Sequence, residues 1–210
     1  LNYNLLEILT HIRHSEKVFI MRVFIAVLVL IFSLQSLTRA DDIRDFEIEG
    51  MSIGDSLLDH YNLSEINENI ANYYNDNEYT VTELDSDNSD YSLIQVHYKT
   101  EDKKLTIYSI DGLFEIKSIQ KCIAKKNKIS EQMAKLFPTI EKELNSNAKM
   151  VSGHGMMHAT TFYFPSGDFT EVTCYDYNKK VENERGWEDH GRVAIVNDKL
   201  NKWIINKAYK

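Results

Sequence analysis

The sequence predicts an α+β fold, in which an antiparallel sheet made of a meander and a hairpin is packed by a long central helix and by short N- and C-terminal helices. Runs with period-two alternation follow one another across short polar turns. A long apolar stripe with helical spacing separates two groups of such runs, and helical spacing recurs near both ends. The chain has 210 residues, of which 43% are hydrophobic and 11% aromatic. The hydrophobic residues are enough to form one hydrophobic core, and the aromatic content argues against a chain that is disordered throughout.

The first half of the fold is predicted to hold two short helices and a meander. One helix is expected around residues 53–61, and Ser64 is expected to cap a second one that runs to about Tyr74. Strand-like alternation follows, and Asp111-Gly112 within it is typical of a hairpin turn. The predicted strands are 79–84, 92–99, 104–110 and 113–117.

A long helix is predicted at the centre of the chain. Ser118 is expected to cap it, and its apolar stripe runs from Ile119 to Phe137 with lysines on the other side. Pro138 would end this helix and is suited to begin a further short helix to Leu144.

The last part of the chain predicts a hairpin, a strand and a terminal helix. The turn composition of residues 165–168 would join strands 158–164 and 169–177. A further strand is expected at 191–196, and Asp198 is expected to cap the terminal helix.

Residues 21–40 have the three parts of a secretory signal peptide: a basic start, ten uninterrupted apolar residues at 23–32, and a small residue, Ala40, before an acidic one. As a helix the apolar run would rise about 15 Å, which is short of a hydrocarbon core of about 30 Å. Export with cleavage is therefore favoured over an uncleaved membrane anchor. Residues 1–20 precede the first methionine and are interpreted as a start-site artefact, which leaves residues 41–210 as one mature domain.

The charge of the chain is acidic and unevenly distributed. The net charge of -8 and the pI near 5.4 argue against nucleic-acid binding, which needs a basic surface. Residues 41–90 contain fifteen acidic side chains and one basic one. Because apolar residues at helical spacing interrupt this segment, it should fold, and the basic remainder of the chain is its expected counterpart.

The two cysteines, Cys122 and Cys174, predict one disulfide, since an even pair in an exported chain usually pairs. It would tie the start of the long helix to the second strand of the hairpin. Two free thiols are the alternative. Lys121 and Lys125 offer only a weak basic environment for a reactive cysteine.

Three histidines are the candidate metal ligands. His154 and His158 flank two methionines, and imidazoles with thioethers suit copper in an oxidising compartment, with His190 as a third ligand from elsewhere in the fold. The alternative interpretation is a polar loop before a strand.

Glu188-Asp189-His190 could form an acid–base pair, although adjacent residues seldom converge on one substrate atom. The sequence contains no nucleophile-elbow, zincin or phosphate-loop motif, so no catalytic residue is assigned.

Several strings together resemble a group of small secreted proteins, without an assigned activity, of marine alphaproteobacteria of the Pelagibacter kind. They are FEIEGMSIGDSLLDHY, YSLIQVHYKTEDKKLTIYSIDG, CIAKKNKISEQMAKLFP, VTCYDYN and GRVAIVNDKLNKWIINKAY. The resemblance covers residues 45–209, implies an exported soluble domain and carries over no catalytic residue.

A weaker similarity is to BamE-like folds, in which helices pack on a small antiparallel sheet. It rests on Gly50-Met51-Ser52, the short two-helix unit after it and the strands that follow. The lipobox cysteine of those lipoproteins is missing here, which argues against membrane attachment of that kind.

The expected function is that of an exported, non-enzymatic binding or accessory module in the periplasm or at the cell surface. Its partner would be an unknown envelope protein or a small ligand, with no nucleic acid, no cofactor and no stable membrane span after cleavage. The alternative is a periplasmic metal-binding protein or metal-dependent hydrolase that uses His154, His158 and His190.

Overall fold

The computed structural model describes residues 42–86, 90–150 and 153–210, and in residue 145 it describes the backbone alone. The fold is α+β, as predicted, with one eight-stranded antiparallel sheet and a long central helix. The predicted start-site artefact at 1–20 and the signal peptide at 21–40 lie outside the described residues.

Short helical segments precede the sheet. Two 3-10 helices span Ile43–Asp45 and Leu57–Asp59, and helix α1 spans Leu63–Glu68. The side chain of Asn62 caps α1, because its Oδ1 accepts a hydrogen bond from the backbone N–H of Glu65 at 2.9 Å.

All eight strands pair antiparallel. In the order of the sheet they are β1-β2-β3-β4-β8-β7-β6-β5, so each half of the chain forms a four-stranded meander and the halves join where β4 pairs with β8. The strands are β1 Ile70–Ala71, β2 Tyr79–Leu84, β3 Leu93–Lys99, β4 Ile107–Glu115, β5 Glu141–Lys149, β6 Gly155–Tyr163, β7 Phe169–Tyr177 and β8 His190–Val196.

Three further helices connect or follow the strands of the second half. They are α2 Ile119–Leu136, α3 Lys179–Arg185 and α4 Asp198–Asn206. Ser118 caps α2 as predicted, since its Oγ accepts a hydrogen bond from the backbone N–H of Lys121 at 3.4 Å. The cap of α4 is Asn197 and not Asp198, because the Asn197 side chain accepts from the backbone N–H of Lys199 at 3.0 Å.

One face of the sheet is covered and holds the main core. Helix α2 packs over β6, β7 and β8, and the N-terminal segment with α1 packs over the first meander. Strand residues in the middle of this face are almost fully buried, with Phe162 and Val172 below α2 and Ile94 and Val96 below the N-terminal segment. Burial of these side chains is the main stabilising contribution of the fold.

The predicted disulfide between Cys122 and Cys174 is confirmed, with a Cα–Cα distance of 6.0 Å. Both cysteines are fully buried, and the bond joins the first turn of α2 to β7 below it. The long helix is therefore fixed to the covered face covalently as well as by packing.

The opposite face, named here the open face, is covered at one end. There α4 places Leu200 and Trp203 against Val196 and Tyr79, and Ala208 completes this second, smaller core. Trp203 is further held by a hydrogen bond from its Nε1 to Asp76 Oδ1, at 2.6 Å.

Other local predictions were wrong as well, beginning with the cap of α1, which is Asn62 and not Ser64. Asp111-Gly112 is no turn, because β4 runs through both residues and pairs on both sides. Residues 141–149 form the edge strand β5 instead of the short helix expected after Pro138. The second N-terminal helix ends at Glu68, well before Tyr74, and the chain continues into β1.

Within the three described ranges, no helix combines the length and the apolar character that crossing a membrane requires.

Candidate functional site

A cluster of three charged side chains lies at the centre of the open face. Arg192 on β8 lies beside Asp111 on β4 and Glu171 on β7, so the cluster spans three neighbouring strands. The distance from Arg192 Nη1 to Asp111 Oδ2 is 3.8 Å, and Nη2 of Arg192 donates a hydrogen bond to Glu171 Oε1. Ser109 Oγ donates to Asp111 Oδ1 at 3.3 Å. We call Arg192, Asp111 and Glu171 the Arg192 cluster.

Burial and mutual attraction oppose each other in the Arg192 cluster. Burial raises the pKa of the Asp111 carboxyl, and the attraction of Arg192 offsets this only in part. Burial also disfavours the charge of Arg192, but Tyr175, Asp111 and Glu171 together raise its pKa above the usual range. The cluster therefore keeps a permanent cation at the centre of the sheet.

His97 on β3 extends this polar centre towards α4. Its Nε2 lies 2.8 Å from the hydroxyl of Tyr74, whose ring packs against Trp203 with centroids 4.8 Å apart. Burial, followed by the nearby positive charge of Arg192, lowers the pKa of His97 to about 3. The side chain is only 5% exposed and therefore neutral at physiological pH, and its Nδ1 has no hydrogen-bond partner among the described residues.

An aromatic row leads from the Arg192 cluster to the other end of the open face. Arg192 lies over the ring of Tyr175, 5.3 Å from its centroid. The ring of Tyr175 stacks on His190 at 4.8 Å and on Tyr177 at 6.3 Å, and Tyr177 contacts Trp187 at 5.4 Å. We call Tyr175, Tyr177, His190 and Trp187 the aromatic row.

Carboxylates dominate the charge of the open face on both sides of the Arg192 cluster. Glu83 accepts hydrogen bonds from the Tyr73 hydroxyl and from Gln95 Nε2, and Glu143 accepts one from the Tyr163 hydroxyl at 3.4 Å. Glu115 is exposed and pairs with His190 in register. Away from α4, the charged residues that the described strands direct to this face are Arg192 and the acidic Glu83, Asp111, Glu115, Glu141, Glu143 and Glu171.

A pocket of about 350 Å³ lies where the aromatic row ends. The linker between β4 and α2 forms one wall with Ile116 and Lys117. The linker between α3 and β8 forms the other with Trp187, Glu188 and Asp189. We call this the Trp187 pocket.

The three histidines predicted to bind a metal do not converge. His158 lies on β6 beside Cys174, on the covered face, and its Nδ1 lies 2.5 Å from Asn147 Oδ1. His190 belongs to the aromatic row on the open face, and His154 packs edge-on against Trp187. Because the sheet separates His158 from His190, one ion cannot bind all three. The described ranges contain no group of three or more His, Cys, Asp or Glu side chains that could hold a metal ion.

The Glu188-Asp189-His190 triplet has structural contacts instead of a shared target. The Asp189 carboxylate accepts a hydrogen bond from the backbone N–H of Tyr177 at 2.7 Å. His190 Nδ1 lies 3.0 Å from the backbone carbonyl of Glu188. These contacts hold the linker before β8 against the end of β7.

The sequence did not reveal the Arg192 cluster. The sequence predicts a turn at Asp111, and it places Glu171 and Arg192 in predicted strands without a motif around them. The one available signal was the position of a charged residue inside an apolar, strand-like run, which in a half-buried strand indicates an ion pair on a neighbouring strand.

No family model, no curated protein and no solved structure matches this chain. The function must therefore be inferred from the geometry of the open face.

Proposed function

We propose that the protein is an exported, non-enzymatic binding module whose open face binds a basic segment of a partner protein. The observation that carries the proposal is the composition of the open face. Arg192 and Tyr175 lie near its middle, Trp187 lies at one end and is 39% exposed, and Glu115 and Glu143 present exposed carboxylates on the same face. The Arg192 cluster and the aromatic row are the centre of this surface.

The residue types of the open face support a protein partner. Tyr, Trp and Arg are the types most enriched at the energetic centres of protein interfaces. Trp187 and Tyr163 are 39% and 41% exposed although both are large aromatic side chains. The rings of Tyr175 and His190 stack on each other with their centroids 4.8 Å apart, and rigid aromatic side chains of this kind are common at the centres of protein-binding surfaces.

The charge of the open face supports a basic partner. Within the described ranges, Glu83, Glu115 and Glu143 form no ion pair, whereas Asp111 and Glu171 share Arg192. Complementary charge increases the association rate and the specificity of an interface more than its affinity. The carboxylates of this face would therefore attract a positively charged segment of a partner protein.

Export is supported by two features. The pattern of residues 21–40 predicts a signal peptide, and a disulfide such as Cys122–Cys174 persists mainly in oxidising compartments. Fusion of residues 21–60 to alkaline phosphatase, which is active only after export, tests this part. Activity is expected for the native segment and should be lost when Leu28 and Leu30 are changed to Arg. Equal activity of both fusions would contradict it.

Binding of a fluorescently labelled deca-lysine peptide tests the open face. The double variant Glu115→Gln with Glu143→Gln removes two exposed carboxylates from it, and affinity should fall about threefold or more because each exposed charge contributes up to roughly 1 kcal/mol. A higher salt concentration should also weaken binding of the peptide to the native protein.

The matched control is Glu47→Gln with Glu131→Gln, which removes two exposed carboxylates from the covered side. Affinity of this variant should stay within experimental error of the native value. An equal loss in both pairs would mean that the peptide senses only net charge, and the proposal would fail.

A further inference from the structure

The Trp187 pocket differs from the rest of the open face because it offers a cavity. Its volume of about 350 Å³ is sufficient for one extended side chain or a small ligand, since ligand pockets begin at roughly 300 Å³. It lies at the end of the β4–β8 strand pair, opposite to the end that α4 covers. A partner lying along the aromatic row would reach it.

Local backbone geometry positions Trp187. Gly186 ends α3 in the left-handed region with φ of 67°, and its N–H donates a hydrogen bond to the Glu182 carbonyl at 3.0 Å. The indole that follows is held between Tyr177 and His154, with ring centroids 5.4 and 5.3 Å away. The ring is thus fixed by its neighbours while more than a third of the residue stays exposed.

The surroundings of Trp187 favour a cation. The guanidinium of Arg185 lies 4.9 Å from the centroid of the indole, so the ring already takes part in one cation–π contact. The pocket is lined by the carboxylates of Glu182, Glu188 and Asp189 and by the ammonium of Lys117. Glu182 is already paired with Lys179, with 2.6 Å between Oε2 and Nζ, and Asp189 already accepts a hydrogen bond from the Tyr177 N–H, so Glu188 supplies the negative charge for an incoming cation. Both the aromatic ring and the Glu188 carboxylate attract positive groups.

The pocket also has an apolar component in Ile116. A long aliphatic stem that ends in a charge matches this combination, because the stem can lie on Ile116 and Trp187 while the charge approaches Glu188. We propose that the Trp187 pocket binds the side chain of a lysine carried by the basic partner segment. This inference rests on the proposed function of the open face and names the residue that anchors the partner there.

Indole NMR signals of the ¹⁵N-labelled, disulfide-intact protein provide the test. The chain has two tryptophans, and therefore two indole N–H signals are expected. The signal that disappears in Trp187→Phe belongs to Trp187, and the other belongs to Trp203, which is 4% exposed. Titration with the capped tripeptide acetyl-Gly-Lys-Gly-amide should shift the Trp187 signal saturably, with a Kd on the order of 10 mM, and leave the Trp203 signal in place. The matched tripeptide with norleucine, which keeps the stem and lacks the charge, should give at most a small shift.

Charge variants locate the site. Glu188→Gln should weaken binding of the lysine tripeptide about threefold, whereas Glu131→Gln on the exposed side of α2 should not change it. Equal shifts with the norleucine peptide, equal losses in both variants or no shift of Trp187 would each overturn the inference. If deca-lysine binding still depends on Glu115 and Glu143 in that case, the open face keeps its proposed function and only the pocket assignment falls.

Discussion

Asp111 on β4 and Arg192 on β8 face each other across the seam between the two meanders, with 3.8 Å between Asp111 Oδ2 and Arg192 Nη1. They are diagonal neighbours, since Asp111 pairs with Ala194 and Arg192 with Leu113. Asp111 is 3% exposed, and so the carboxylate depends on this guanidinium and on Ser109 for its stability in the sheet.

Replacing Arg192 by Met should lower the free energy of unfolding by about 3 kcal/mol, because it leaves Asp111 and Glu171 in a partly buried place without their cation. Asp111→Asn should cost less. The double variant should cost at least about 1 kcal/mol less than the sum of the two, since the residues interact directly. Urea denaturation of the four proteins measures this coupling.

The exposed pair Lys202–Asp198 on α4 is the matched control, with 2.6 Å between Nζ and Oδ2. Lys202→Met should cost less than about 1 kcal/mol, because exposed ion pairs contribute little. If Arg192→Met lowers the free energy of unfolding by as little as Lys202→Met, the Arg192 cluster contributes no more than an exposed ion pair, which contradicts the prediction.

The folded protein should lose stability as the pH falls below 7, partly through His97. The pKa of His97 is lowered to about 3 in the folded state and has its ordinary value of 6.5 when unfolded, so between these values the unfolded chain binds the extra proton. The contribution of His97 to the free energy of unfolding is fully present above pH 6.5. It decreases on acidification, by about 2 kcal/mol between pH 7 and pH 5. Burial lowers the pKa of His190 as well, which acts in the same direction.

His97→Gln isolates this contribution, because glutamine does not titrate and can still bond the Tyr74 hydroxyl. Urea denaturation at pH 7 and pH 5 should show a smaller loss for the variant, by about 2 kcal/mol. Equal losses in both proteins would contradict a neutral, buried His97.

Removing the disulfide should destabilise the fold without changing its architecture. A sequence separation of 52 residues corresponds to a loop-closure contribution of about 4 kcal/mol in the chain-entropy model. Cys122→Ala with Cys174→Ala should therefore lower the free energy of unfolding by roughly 2–4 kcal/mol. Reductant should have the same effect on the native protein and none on the variant, which serves as the control. A native protein insensitive to reductant during urea denaturation would contradict the prediction.

Glycine is required where β8 passes Phe114. A Cβ on Gly191 would overlap the ring of Phe114, which is 2% exposed and cannot move away. Gly191→Ala should cost about 1–3 kcal/mol through overpacking. At Gly112 a Cβ would come 2.5 Å from the partly exposed ring of Tyr91, which has room to rotate, so Gly112→Ala should cost less. Thermal and urea unfolding of the two variants give the order, and the reverse order would be inconsistent with the packing described.

The period of the apolar residues predicted the helices and strands in which one face is buried and the other is polar. The long helix, the hairpin of β6 and β7, and strands β2, β3 and β8 all carry a clear apolar pattern, and each was found close to its predicted place. Edge strand β5 was missed because its sequence is polar and exposed on both sides, with an irregular register between Glu143 and Ser146. Nothing in such a segment distinguishes a strand from a helix or a loop.

The centre of the open face could not be predicted for a different reason. Asp111 and Gly112 are typical turn residues. The partner that permits a carboxylate inside the sheet is Arg192, which lies on β8, about 80 residues further along the chain. The energy of such a pair depends on a contact between residues far apart in sequence. A local pattern contains no information about it.

The position of β8 has a consequence for how the chain matures. It is the last of the eight strands of this sheet in chain order, yet it lies between β4 and β7 and is the element that joins the two meanders into one sheet. A growing chain that ends before His190 leaves β4 and β7 as two unpaired edges, which are templates for aggregation. The sheet can close only once residues 190–196 are available to pair, so a chain that lacks them cannot join its two meanders.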